Sequence, residues 1–214
     1  MTDMASLAES SDQTVVLDNI SWETYERLLA ARGDSPAPRF HYNSGVLEIM
    51  SPSLKHETVA RAIERLIGLL AEELDVDFLS AGSTTFKRKD LAKGFEPDSC
   101  FYIQNVTRIR GKEEIDLTTD PPPDLAIEVE SARSAVDKLA LYAAAGVPEV
   151  WRYRKGNLTI YELRDGSYVE STHSPTFSRV SSSQLSEFVQ SQSSMTSPAW
   201  ARTVRLFAQS IKKA

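Results

Sequence analysis

Cysteine is almost missing from this chain. Cys100 is the one thiol in 214 residues, and a lone thiol closes no internal disulfide, so nothing points to a secreted, bridge-stapled scaffold. Long apolar runs are missing as well. No window approaches the ~18 consecutive apolar residues that suggest a membrane-crossing helix, and no membrane partner is expected. The opening MTDMASLAESSDQT lacks the basic stretch and apolar run of a signal peptide, so the cytoplasm is the expected address. Glycine and proline are modest in number, 9 and 10, which removes collagenous and low-complexity classes. Positive charge is in deficit: 24 Lys and Arg face 30 Asp and Glu, for a formal net charge of −6. A protein that held nucleic acid by bulk charge would be basic. A nucleic-acid role here needs local basic patches, or metal ions bridging carboxylates to phosphate.

What is present is an ordinary globular composition, 41% hydrophobic and 25% charged, on a chain long enough to bury a core unaided. Residues 1–13 read as a flexible tail. A short helix is expected from Ser21 to about Gly33, stopped by Pro36 and Pro38. Arg39–Tyr42 and Val46–Met50 flank Asn43-Ser44-Gly45, a three-residue hairpin loop by composition. The longest helical pattern runs from Leu54 to Leu74, with Val59, Ile63, Leu66, Ile67, Leu70 and Leu74 in one narrow sector. Short strands are expected at 76–79, 84–87 and 99–103. A long loop over 104–123 and a strand over 124–130 follow. Ser134, with Asp137 three residues on, reads as a cap opening an alanine-rich helix that ends near Gly146. Strands at 150–153, 158–163 and 168–170 come next, then terminal helices over 185–189 and 198–211. This order predicts an α/β domain with one mixed core sheet flanked by helices, spanning 14–190, with 191–214 a linker and helix packed on the same domain.

The strand over 124–130 is the most informative. Leu125, Ile127 and Val129 point one way; Asp124, Ala126, Glu128 and Glu130 point the other. Two carboxylates on one strand face repel, and a divalent ion is a natural partner for them. Asp98, at the mouth of another strand, could add a third. An exposed, solvated strand face explains the same alternation. Lys138 falls at about the fourth position of its helix with Tyr142 one turn on; it could orient a water or stabilise charge on a phosphate, or simply snorkel. His56 lies in line with the apolar sector of the long helix, at its N-terminal end, with Glu57 on the flank. It could reach a site as ligand or shuttle, or be a hydrogen-bonded core-edge residue. His41 and His173 look isolated. Basic clusters occur at Lys87-Arg88-Lys89, at Arg108, Arg110 and Lys112, and at Arg152, Arg154 and Lys155. Each suits a phosphate backbone or a plain solvated surface. Zinc-protease, serine-hydrolase and phosphate-loop signatures are absent. A glycosidase carboxylate pair is possible by spacing, but no aromatic sugar platform accompanies it.

Five motifs occur in order: Gly45-Val46-Leu47-Glu48-Ile49-Met50-Ser51-Pro52 followed by His56; Gly94-Phe95-Glu96-Pro97-Asp98; Pro123-Asp124-Leu125-Ala126-Ile127-Glu128-Val129; Asp137-Lys138-Leu139 with Tyr142; and Gly146-Val147-Pro148-Glu149-Val150-Trp151. Together, over roughly 20–190, they resemble the Uma-two family of restriction endonucleases in the PD-(D/E)XK nuclease superfamily. The resemblance implies a restriction-endonuclease-like core whose carboxylates bind Mg²⁺ or Mn²⁺ and whose substrate is DNA, hydrolysed by a metal-activated water. Carried over by position, Asp98 is the aspartate of the first half-motif and Glu128 the acid of the second. Glu130 stands where that motif has lysine, a departure, and Lys138 from the next helix takes the lysine's part. His56 or Glu57 stands for the polar residue of the first core helix. The expected site is therefore Asp98, Glu128, Lys138 and His56, with Asp98, Glu128 and Glu130 as metal ligands. The alternative is a nuclease fold kept as a binding or assembly module without turnover. A homodimer would suit duplex cleavage, with Trp200 and Phe207 as candidate exposed apolar contacts.

Overall fold

The apolar sector between Leu54 and Leu74 has to be covered, and the fold is arranged around that need. In the computed structural model, which describes residues 11–131 and 134–213, this segment is one 21-residue helix. Chain order is β1 (Gln13–Leu17), α1 (Trp22–Arg32), β2 (Arg39–Asn43), β3 (Val46–Ser51), α2 (Leu54–Leu74), β4 (Leu79–Ser80), β5 (Phe86–Arg88), β6 (Lys93–Phe95), β7 (Ser99–Tyr102), α3 (Val106–Ile109), β8 (Leu125–Glu130), α4 (Lys138–Ala145), β9 (Glu149–Arg154), β10 (Asn157–Arg164), β11 (Ser167–Ser171), α5 (Ser182–Ser191) and α6 (Ser197–Lys213). Of the expected tail, residues 1–10 lie outside the described residues. Gln13 is already in β1, paired antiparallel with β3.

The strands form two sheets where one was expected. A six-stranded mixed sheet has the order β11-β10-β9-β8-β7-β4, and a five-stranded antiparallel sheet has the order β1-β3-β2-β6-β5. Within the first, β8 and β9 are parallel and joined through α4, the crossover that a parallel pair requires. The chain passes from the second sheet to the first in three residues, Glu96-Pro97-Asp98, between β6 and β7. Buried Glu96 pins this crossing. It accepts two bonds from Arg32, at 2.6 and 2.8 Å, and one from the Phe40 backbone N–H at 2.7 Å.

Alternation on β8 sorts its residues between two cores. Leu125, Ile127 and Val129 pack with Ile63, Leu66, Ile67 and Leu70 of α2. Ala126 faces the other way, with Leu141 and Tyr142 of α4 and Phe86 and Phe95 of the second sheet. A third cluster packs α1, through Trp22 and Tyr25, on Phe40, Tyr42 and Leu47.

Several local expectations need correction. The β2–β3 hairpin turns in two residues, Ser44 and Gly45, both at positive φ (48° and 98°), as a tight primed hairpin turn requires. Asp137, not Ser134, caps α4, accepting from the Ala140 N–H at 3.1 Å; Lys138 is thus the helix's first residue. Trp200 is buried at 1% exposure and its indole N–H donates to the Phe188 carbonyl at 2.8 Å. Phe207 packs on Phe188. Trp200 belongs to the core and Phe207 is partly buried against it, so neither is the exposed apolar contact expected of it.

Candidate active site

Asp98 leaves the crossing just before β7. Its N–H donates to the Ile127 carbonyl (3.1 Å), and its Oδ2 accepts the Val129 N–H at 2.6 Å. The carboxylate is therefore locked against the backbone of β8, one residue from Glu128. Its other oxygen, Oδ1, takes two cations: Arg39 Nη1 at 2.6 Å and His56 Nε2 at 2.9 Å. Arg39 comes from the start of β2. His56 comes from the first turn of α2, where Ser53 caps the helix and accepts the His56 N–H at 3.2 Å. Of the two alternatives on that turn, His56 faces Asp98 directly. Glu57 faces Arg39 Nη2 at 2.5 Å and reaches Asp98 only through that guanidinium.

The far nitrogen of His56 meets Asp12 Oδ2 at 2.9 Å. With a carboxylate on each ring nitrogen the imidazole is held as the cation. Burial opposes this, and the two carboxylates outweigh it, raising its pKa. Asp12 moves the opposite way. Burial would raise it, but the Ser131 hydroxyl, the Ser53 N–H and His56 bring it down to about 2. No pattern in the sequence singles out Asp12. Only β1 pairing, which the polar sequence around it conceals, carries it to the site.

Glu128 is 2% exposed, which removes the solvated-strand reading. Its Oε2 accepts from Lys138 Nζ at 2.7 Å and its Oε1 from the Tyr142 hydroxyl. Lys138 is also buried, so it does not snorkel. Burial disfavours both charges, yet the pair stays ionised. Lys138 and His41 hold the Glu128 pKa below the usual range, while Glu128, Asp98 and Glu48 raise that of Lys138. Burial and the Glu128 charge push the Tyr142 hydroxyl well up, keeping it a donor.

His41, isolated in the sequence, is fully buried on β2 with Nε2 3.8 Å from Glu128 Oε1. That is beyond hydrogen-bond distance, and among the described residues neither ring nitrogen has a hydrogen-bond partner. Alternation on β2 was the available signal, since residue 41 faces opposite to Phe40 and Tyr42. Glu48 of β3 is buried as well. It accepts from Ser134 Oγ (2.8 and 2.9 Å) and the Ala135 N–H (2.7 Å), tying the β8–α4 loop to the second sheet. Between these groups lies a cavity of about 50 Å³ lined in part by Glu48, His56, Glu130 and Lys138, enough for one or two waters. Glu130 stands farther out and half-buried. It also borders a wider cavity with Arg152 and Arg154, and burial raises its pKa against the pull of Arg152.

Of the three basic clusters, the structure brings one to this site, since β9 lies beside β8 with Glu128 opposite Arg152 and Glu130 opposite Arg154. The others sit elsewhere in surface pairs: Arg88 with Asp90, Arg110 with Asp77, Lys112 with Asp120.

The family model of Uma2, described as "Putative restriction endonuclease", matches residues 22–196. The chain belongs to the Uma2 family. All of the site residues named above except Asp12 fall inside the matched stretch of this Uma2 member. A solved structure from Anabaena variabilis, titled a "putative nuclease belonging to DUF820", is similar over 79% of this chain and 99% of that one, at 14% identity and a TM-score of 0.53. At that identity the likeness is one of fold. No curated protein matches the chain.

Proposed function

We propose that this chain is an endonuclease that hydrolyses DNA phosphodiester bonds using a divalent ion, Mg²⁺ or Mn²⁺, held by Asp98 and Glu128, with Glu130 at the rim completing the acidic set. The observation that carries this reading is the buried Glu128–Lys138 pair beside Asp98, in a chain of the Uma2 family. The donor set suits such an ion. Asp98 Oδ2 and both oxygens of Glu128 each retain a lone pair beyond their protein donors, and Mg²⁺ takes one or two carboxylates and keeps several waters. Among the described residues no three His, Cys, Asp or Glu side chains form a group that could hold a metal, so two carboxylates and several waters would have to make up the ion's shell.

When bound, the ion supplies charge neutralisation at the phosphate and a water acidic enough to ionise near neutral pH. The chain's own residues do the rest. Glu128 fixes the Lys138 ammonium inside a poorly solvated site, where it stabilises the negative charge that develops on phosphate oxygens. Arg39 and His56 hold Asp98 in one orientation, and Asp12 fixes His56 from behind. Tyr142 and Lys138 together set the rotamer of Glu128.

Conversion of supercoiled plasmid to nicked and linear forms, with Mg²⁺ or Mn²⁺ and with EDTA, tests this. Wild type should cut in metal alone, and Asp98→Asn and Glu128→Gln should each lose about 100-fold or more. Equal cutting by all three proteins dismisses the assignment. A second reading, a nuclease fold kept for binding or assembly without turnover, is favoured by Glu130 in the motif's lysine position and by protein cations already facing both central carboxylates; it predicts no cutting in any metal. One chain offers one such site and a duplex needs two cuts, so a homodimer accompanies a duplex substrate. A monomer by light scattering at micromolar concentration removes that part.

A further inference from the structure

Two cavities meet along one side of the site. One, of about 580 Å³, runs from His56 and Glu130 past Tyr153 to Lys55, Lys155 and Gly156. The other, of about 660 Å³, continues from Lys55 and Tyr153 over Leu54 and Val59 to Val189, Gln190 and Gln192. Lys55, Val59 and Tyr153 are common to both, so they form one groove that starts at the proposed active site and passes the first turn of α2. Its floor is apolar and aromatic: Val59, Val189 and the ring of Tyr153, with Leu54 at the margin 81% exposed. Its rim is cationic and amide-bearing.

Some exposed cations of this acidic chain are held by carboxylates and others are not. Among the described residues, Arg61, Arg88, Arg110, Lys112, Arg164, Arg205 and Lys212 all lie on carboxylates. Lys55 and Lys155 are exposed, and among the described residues neither lies on a carboxylate. Arg154, on the opposite face of β9 from Tyr153, is likewise exposed and unpaired among the described residues.

A duplex presents phosphates outward and hides its base faces in the stack. Only an unpaired strand offers flat apolar faces and a phosphate backbone side by side, which is what stacking platforms in cationic grooves recognise. We propose that this groove binds single-stranded nucleic acid, with bases on the Tyr153–Val59–Val189 floor and phosphates on Lys55 and Lys155, and that it feeds the strand to Asp98 and Glu128. The inference rests on the nuclease reading for its direction but not for its binding, which needs no metal. A single-strand substrate also removes the requirement for two copies.

The test is fluorescence anisotropy in EDTA with a labelled oligothymidylate of about 20 nucleotides, set against a duplex of equal length. Wild type should bind the single strand at least about tenfold more tightly. Tyr153→Leu, which keeps an apolar side chain on the floor, should weaken it roughly 5- to 150-fold, the span of one lost base stack, and Tyr153→Phe should restore it. Lys155 sits at φ 49°, so Lys155→Asn suits that backbone. Together with Lys55→Gln it should lower the slope of log affinity against log salt by about 1.4, or 0.7 per cation. That measurement stands even if the Tyr153 variants fold poorly. Equal or tighter duplex binding, no oligothymidylate binding, or an unchanged salt slope in the lysine variant overturns the proposal. Binding without any metal-dependent cutting of the same oligonucleotide refutes the nuclease reading and leaves the groove standing; cutting without groove dependence does the reverse.

Discussion

Removing one charge of the Glu128–Lys138 pair should cost far more stability than the pair itself contributes. Both side chains are almost wholly out of water, so Lys138→Met strands a buried carboxylate, a loss of about 3–5 kcal/mol, whereas losing both charges is often near neutral. Urea unfolding should therefore show Lys138→Met strongly destabilised and Glu128→Gln/Lys138→Met largely recovered; equal losses in both would mean that the two groups do not form a buried ion pair. Asp12 carries a pH signature. Its folded pKa of about 2 lies below its unfolded value, so its stabilisation is fully present above the unfolded value, ~3.9, and disappears as pH falls through about 2. Asp12→Asn should be less stable than wild type at pH 5, the gap closing by about pH 2 in thermal melts; a gap that persists there contradicts the contact with His56. At this scale the sequence was informative about which residues matter and poor on their surroundings. Spacing on β8 made Glu128 a candidate, and order of motifs singled out Asp98, Lys138 and His56. Burial was invisible, because an exposed strand alternates in the same way as one covered by α4. Arg39, His41, Glu48 and Asp12 arrive from the second sheet, across 40 to 120 residues of sequence, and no local pattern announces a contact of that range.

At the scale of elements, periodicity worked where one side of an element is apolar and long. The α2 boundaries are those the pattern predicts, because 21 residues give the apolar sector nearly six turns in which to repeat. Two- and three-residue strands such as β4 and β6 have no room for a period, and β1 escapes because its side chains are mostly exposed. The hairpin strands β2 and β3 are legible in the sequence, but the strands that flank them, β1 and β6, are not, so nothing in the pattern shows that this hairpin belongs to a second sheet. β6 illustrates how tightly they fit. A Cβ on Gly94 would lie 2.1 Å from the Tyr25 hydroxyl and 2.6 Å from its ring carbon, and Tyr25 is buried, stacked on Tyr42 at 4.8 Å. Gly94→Ala should therefore lower stability by about 1–3 kcal/mol, the range of core overpacking. A urea midpoint equal to wild type would show that α1 yields freely.

For the whole molecule, the net charge of −6 counts against holding nucleic acid by bulk charge, and it says nothing of where the cations lie. Among the described residues Lys55, Arg154 and Lys155, beside Glu130 and along the Tyr153 groove, are exposed and lie on no carboxylate, so a local group of cations coexists with the acidic total. Composition cannot report such an arrangement, and the fold creates it by laying β9 beside β8. The start of β7, the end of β8 and the first turn of α4 bring Asp98, Glu128 and Lys138 together, and the proposed function puts a divalent ion on the two acids. Calorimetric titration of the chain with Mn²⁺, without nucleic acid and at neutral pH, addresses that claim directly. The account predicts saturable binding to wild type that is lost in both Asp98→Asn and Glu128→Gln. Binding that survives either substitution, or no binding to wild type, would contradict it.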